Sequence, residues 1–263
     1  MENKRPELAL ILLCSLFLVL VVLSYILQGK TIALVEGPIA VLEVDNTGYP
    51  LNIGVLPFPV FLLALGLICL DLVNEFFGKG AAISLSIAGG LAVVFIWGLL
   101  KGLTFIPTAQ NQLVFDQAFA ALFNLQPRFV SSLAGSVAAG FAFTSLVFEL
   151  FRRITHGGFI IIRLFMAHLL GLAFFSACGA ALENEAPFIL GEALSLAVTR
   201  YVQWFVFSFI LIPIFYILMI PFRIIIGREH YTAVKVRFAK KKLFRHDEKN
   251  FFEARSEVQE KRI

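Results

Sequence analysis

Six long apolar stretches dominate the chain: Leu8–Leu27, Ile53–Phe76, Ala81–Leu100, Phe129–Phe151, Phe159–Leu182 and Val202–Ile226. A helix needs roughly 20 mostly apolar residues to cross the hydrocarbon core of a bilayer. In lipid, every backbone N–H and C=O must be satisfied within its own segment, so each stretch is predicted to be a helix. The expected fold is all-α integral membrane, with about six transmembrane helices in a single bundle. Pro57 and Pro59 stand near the start of the second stretch. Pro213 and Pro221 fall within the sixth and should kink it.

Composition agrees. The apolar fraction is 59 % and the charged fraction 15 %, where a soluble domain carries roughly 45–50 % and 25 %. Mean hydropathy is +0.86, and the 29 Phe suit a lipid-facing surface. Lys4 and Arg5 before the first stretch look like the start of a secretion signal. The stretch is longer than the usual h-region of about 7–15 residues, however. It ends in Gln28-Gly29-Lys30 without a small-x-small cleavage pattern, so it reads as a retained first helix. Cys14, Cys69 and Cys178 all lie in apolar runs with no CxxC pair. They read as small apolar helix residues rather than a disulfide or metal set.

Orientation follows from Lys and Arg, which accumulate in cytoplasmic connections. One set of connections holds Lys4, Arg5, Lys79, Arg152, Arg153 and a tail with Arg228, Lys235, Arg237, Lys240, Lys241, Lys242 and Arg245. The other holds Glu36, Glu43, Asp45, Asp116, Glu183, Glu185 and Glu192, with Lys30, Lys101, Arg128 and Arg200 as its cations. Six spans put both termini on the basic side. The chain thus divides into a six-helix membrane domain, 1–226, and a basic cytoplasmic tail, 227–263. The expected location is the inner (plasma) membrane with both ends in the cytoplasm. The outer connections are longer. Residues 29–52 carry Gly-Pro and Asn-Thr-Gly-Tyr-Pro turn signals, and the run Gln112–Phe123 has the length of a short interfacial helix.

Chemistry concentrates at the end of the second stretch. On a helix Asp71, Asn74, Glu75 and Gly78 share one stripe, at i, i+3, i+4 and i+7. A carboxylate facing lipid near the bilayer centre costs at least about 2.5–3.5 kcal/mol, so Asp71, Asn74 and Glu75 should face a cavity or another helix and line a transport path. With a span beginning near Val55, Asp71 would lie about 24 Å along it, close to the inner headgroups. Arg163, five residues into the next-to-last stretch, can pair with Asp71 or Glu75. His168 lies deeper, either packed by a hydrogen bond or relaying protons. On the fourth stretch Ser132, Ser136, Gly140 and Thr144 recur every four residues, a small-xxx-small seam for close helix packing. Glu149 is expected to form an interfacial charge pair with the Arg152-Arg153 doublet. Gln203 and Trp204 should open the sixth helix within an outer aromatic belt.

No G-x-G-x-x-G, Walker A, H-E-x-x-H or G-x-S-x-G motif occurs. The chain is read as a non-enzyme without cofactor, metal or nucleic-acid partner. Its expected partners are the lipid bilayer and a small-molecule substrate, with room for an oligomer or a partner subunit. Without ATP-binding motifs, transport would draw on a gradient, on a partner subunit, or on metabolic trapping.

The block Asp71-x-x-Asn74-Glu75-Phe76-Phe77-Gly78-Lys79 resembles the signature of the vitamin-uptake-type queuosine precursor transporter family. Ser24 to Lys30 is similar to that family's end of helix one, with Tyr25 where Asn is common. Pro127 to Leu133 and Thr155 to Arg163 are similar to its starts of helices four and five. The resemblance implies a six-helix importer of 7-deazaguanine precursors of the tRNA base queuosine. It also implies Gln and Asp on helices four and five. Here Gly140 to Phe148 contains neither, Thr144 stands at the acid's place, and helix five offers His168 and Ser176. Those departures leave a second reading beside the transporter, a non-transporting membrane scaffold or assembly subunit.

Overall fold

The computed structural model describes residues 5–27, 31–33, 40–44, 47–51, 55–105, 127–184 and 189–227. Lys4, the Gln112–Phe123 run, Glu36, Asp45, Asp116, Glu185 and the tail from Arg228 onward lie outside the described residues. Among the described residues, six helices are long and apolar enough to cross a membrane. They are α1 (Arg5–Ile26), α2 (Phe58–Phe77), α3 (Lys79–Leu103), α4 (Pro127–Ile154), α5 (Ile160–Glu183) and α6 (Leu190–Ile226). The chain is a multi-pass membrane protein.

α4 and α6 depart most from the sequence expectation. α4 contains a π-turn at Ser136–Gly140. α6 begins at Leu190, three turns before the expected Val202, and carries Pro213 and Pro221 inside it. Glu192 and Arg200 lowered the apolarity of that first segment, but a helix needs apolar residues only where it meets hydrocarbon. At 37 residues, α6 is about 55 Å long, more than a bilayer core requires.

α2 is the central post. Of its most apolar stretch 83 % is buried, against 17–56 % in the other five helices. It packs on α1, α3, α4 and α6. α1, α3 and α6 turn large apolar side chains outward instead, among them Leu12, Leu16, Leu91, Phe95, Phe209 and Ile217. This inversion, lipid-facing Leu and Phe outside and polar stripe inside, is how a bilayer sorts a bundle.

Tight turns join α2 to α3 and α4 to α5 at one end, called the turn end below. Gly78 is the whole of the first turn. Its φ of +88° is favoured by a residue without Cβ. The second turn holds Gly157 at φ +79° and also His156 and Phe159 in the left-handed region. The longer connections lie at the opposite, loop end. There the expected turn-rich segment before α2 forms two antiparallel ribbons. Thr31–Ala33 pairs with Val55–Pro57, and Ala40–Val44 pairs with Thr47–Leu51. The inner ribbon lies beside α6. Ile32, Val41, Val44, Tyr49 and Val55 are residue types that suit short strands.

Candidate functional site

α2 carries its acidic stripe into the interior at the turn end. Asp71, Asn74 and Glu75 are each 1 % exposed. α2 starts at Phe58 rather than near Val55, so Asp71 lies about 20 Å along it, roughly two turns before its end at Phe77. Partners arrive from α4 and α5. Arg163 Nη1 donates to Glu75 Oε2 at 3.1 Å, and its guanidinium lies over the Phe148 ring, 5.2 Å from the centroid. His168 Nε2 and Asp71 Oδ2 are 2.8 Å apart. Asn74 Nδ2 donates to Ser145 Oγ at 3.0 Å, and Arg152 Nη1 donates to the Asn74 carbonyl at 3.2 Å.

The five residues singled out for a transport path, Asp71, Asn74, Glu75, Arg163 and His168, thus come together in one buried cluster. Such a cluster is a poor stability device. Each buried ion loses several kcal/mol of hydration (roughly), which its partner repays only with good geometry and further hydrogen bonds. Those further bonds are incomplete. Among the described residues, Asp71 Oδ1, Asn74 Oδ1, Arg163 Nε and His168 Nδ1 are buried without a hydrogen-bond partner. Buried polar atoms left open in this way call for a specific explanation, and in a membrane bundle the default one is function.

Sequence reading missed Arg152 and Ser145. It grouped Arg152 with Arg153 at the interface. In the fold only Arg153 stays outside, where its Nε donates to Glu149 Oε1 at 3.2 Å, while Arg152 is 1 % exposed. Helical phase carried the signal: Ser145, Phe148 and Arg152 stand at i, i+3 and i+7 on the face toward α2.

The small-residue seam of α4 lies along α5. A Cβ at Gly140 would stand 2.8 Å from Phe175 Cα, and one at Gly171 would stand 2.8 Å from Thr144 Cα. Ser132 Oγ donates to the Gly179 carbonyl at 2.8 Å. A spacing of four residues drifts about 40° per step around an α-helix. The π-turn at Ser136–Gly140 inserts one residue and offsets much of that drift, which holds the seam to one face.

Toward the loop end, α2, α4, α5 and α6 line a half-open cavity of about 200 Å³. Val60 and Leu63 line it from α2, Ser132 and Ser136 from α4, Phe175 from α5, and Arg200, Gln203 and Trp204 from α6. Arg200 is ion-paired with Glu183 at its rim. Gln203 and Trp204 were expected in an outer belt. They are instead 5 % and 1 % exposed, because the earlier start of α6 sets them well inside that helix. Phe141 backs the cavity: its ring stacks on Phe175 at 5.0 Å between centroids and meets Trp204 edge-on at 6.5 Å. Phe141 lies between Ser136 and Ser145 along α4, so the aromatic trio separates the cavity from the charged cluster.

A family described as "putative vitamin uptake transporter" matches residues 52–218, more than half of the chain. The chain belongs to that family. The match runs from just before α2 to Leu218 in α6, and so takes in both the cavity and the charged cluster of this vitamin uptake family member. No curated protein and no solved structure matches the chain.

Proposed function

We propose that the chain is an inner-membrane carrier that imports a small, flat, polar compound of the 7-deazaguanine class, with both termini in the cytoplasm. The observation that carries this reading is the layering. A cavity opens toward the loop end, an aromatic trio closes its floor, and a buried charged cluster lies beyond. Alternating access needs a site near the midplane between gated halves, and this order fits one. The cavity chemistry suits a heteroaromatic ring. Phe175 and Trp204 offer stacking faces, and Gln203 and the seryl hydroxyls offer hydrogen bonds to a ring edge. Its volume of about 200 Å³ falls below the usual range for drug-sized ligands and favours a ligand of one or two rings. An assembly subunit would have no use for an open-mouthed cavity that carries a few hydrogen-bonding groups above open buried polar atoms, which favours the carrier.

The chain has two tryptophans, and of these Trp204 lines the cavity. A 7-deazaguanine precursor added to the purified protein should quench tryptophan emission saturably. The quench should survive Trp97→Phe and be lost in Trp204→Phe. No saturable change with any such precursor would count against this ligand class.

A further inference from the structure

We infer that Asp71 and His168 together hold one exchangeable proton, and that this proton is the coupling ion of the transport cycle. The inference rests on the carrier reading above and supplies its energy source.

The pair is built for a shared proton. The two groups meet at 2.8 Å, Nε2 to Oδ2, with side chains 2 % and 1 % exposed. Among the described residues, each keeps one further polar atom without a hydrogen-bond partner, Nδ1 on His168 and Oδ1 on Asp71. A merely structural histidine of this depth normally donates or accepts through both nitrogens. With a neutral imidazole and an ionised carboxylate the pair carries a net negative charge. One added proton, forming an O–H bond on the Asp71 carboxylate, makes it neutral. Water reaching either open atom would give this proton a way in and out.

The surroundings leave this charge to the pair itself. On α2, Glu75 is matched by Arg163 of α5, and Cys69 lies within electrostatic range of Asp71. α1 brings Cys14 toward Cys69. From α4, Arg152 is held on the Asn74 carbonyl and Glu149 is held by Arg153. From α6, Tyr216 lies within range of the Glu75–Arg163 pair. α3 begins past the cluster, with Lys79 at the turn. In each cycle a proton leaves water on the cavity side, binds the pair, and is released to water at the turn end. No electron moves and no other reactant takes part.

Two measurements on the full-length chain separate this inference from the carrier reading. The first uses no substrate. In an acid titration of protein in lipid nanodiscs, followed by infrared difference spectroscopy, a buried carboxyl C=O band should appear. It should vanish in Asp71→Asn, shift its midpoint in His168→Gln, and persist in Glu192→Gln. A spectrum unchanged by both cluster variants would overturn the proton site, whether or not the chain transports. The second uses proteoliposomes and a labelled 7-deazaguanine precursor. Wild type should concentrate the label under an imposed pH gradient and stop when a protonophore is added. His168→Gln should lose about tenfold in accumulation yet still exchange label across the membrane, since coupling energies commonly amount to about 5–150-fold. Accumulation that ignores the protonophore would overturn the coupling and leave the carrier reading standing. No movement of label in any mode would instead sink the carrier reading, with the infrared titration still deciding the proton site.

Discussion

Arg163 of α5 reaches Glu75 of α2 at 3.1 Å, across 88 residues of sequence, with both side chains at most 2 % exposed. The contact ties the start of α5 to the end of the central helix. It also changes what a substitution at Glu75 tests. Glu75→Gln keeps volume but strands a guanidinium, and breaking a buried pair costs about 3–5 kcal/mol. The single variant should therefore melt markedly earlier in detergent, and so should Arg163→Met. The double variant Glu75→Gln/Arg163→Met removes both charges and should recover much of the loss. Purely additive losses would mean that the two side chains do not interact.

The α4–α5 seam gives a second prediction. Gly140 sits against the backbone of Phe175, so Gly140→Leu must push the helices apart. Overpacking of this kind costs about 1–3 kcal/mol. Leu146 is 45 % exposed on the lipid side of α4, and Leu146→Ala should change stability by no more than about 0.5 kcal/mol. Thermal unfolding in detergent measures both. Wild-type stability in Gly140→Leu would mean that this face does not pack on α5.

Orientation is tested independently of function. A reporter active only in the cytoplasm should work when fused after Ile263 and fail when inserted at Thr47. The reverse pattern would place the cavity on the cytoplasmic side and turn the proposed importer around.

The apolar stretches made the bundle legible, because a membrane forces long apolar segments into helices whatever their detailed packing. The acidic stripe of α2 was legible for a related reason: the penalty for lipid-facing carboxylates leaves Asp71 and Glu75 nowhere to go but inward. Pairings were harder. Arg152 and Arg153 are adjacent and chemically equal, and only helical phase separates the one that enters the bundle from the one that stays at the surface. Trp204 and Gln203 were hidden by a boundary error, since charge at Glu192 and Arg200 resembled the edge of the membrane. The π-turn has no marker of its own beyond the four-residue spacing it serves. The cavity is a property of four helices at once, and no local pattern announces it.

The carrier reading stands or falls most directly on uptake. Cells lacking their own importer, expressing the full-length chain and supplied with a labelled 7-deazaguanine precursor, should accumulate label above the empty-vector background. Gln203→Leu, nearly equal in size but without the amide, should reduce the initial rate about tenfold or more while the protein remains in the membrane, because a buried hydrogen-bonding group left unmatched costs about 1–3 kcal/mol. Label at background level in cells that contain correctly inserted wild-type protein, or uptake by Gln203→Leu equal to wild type, would contradict the account.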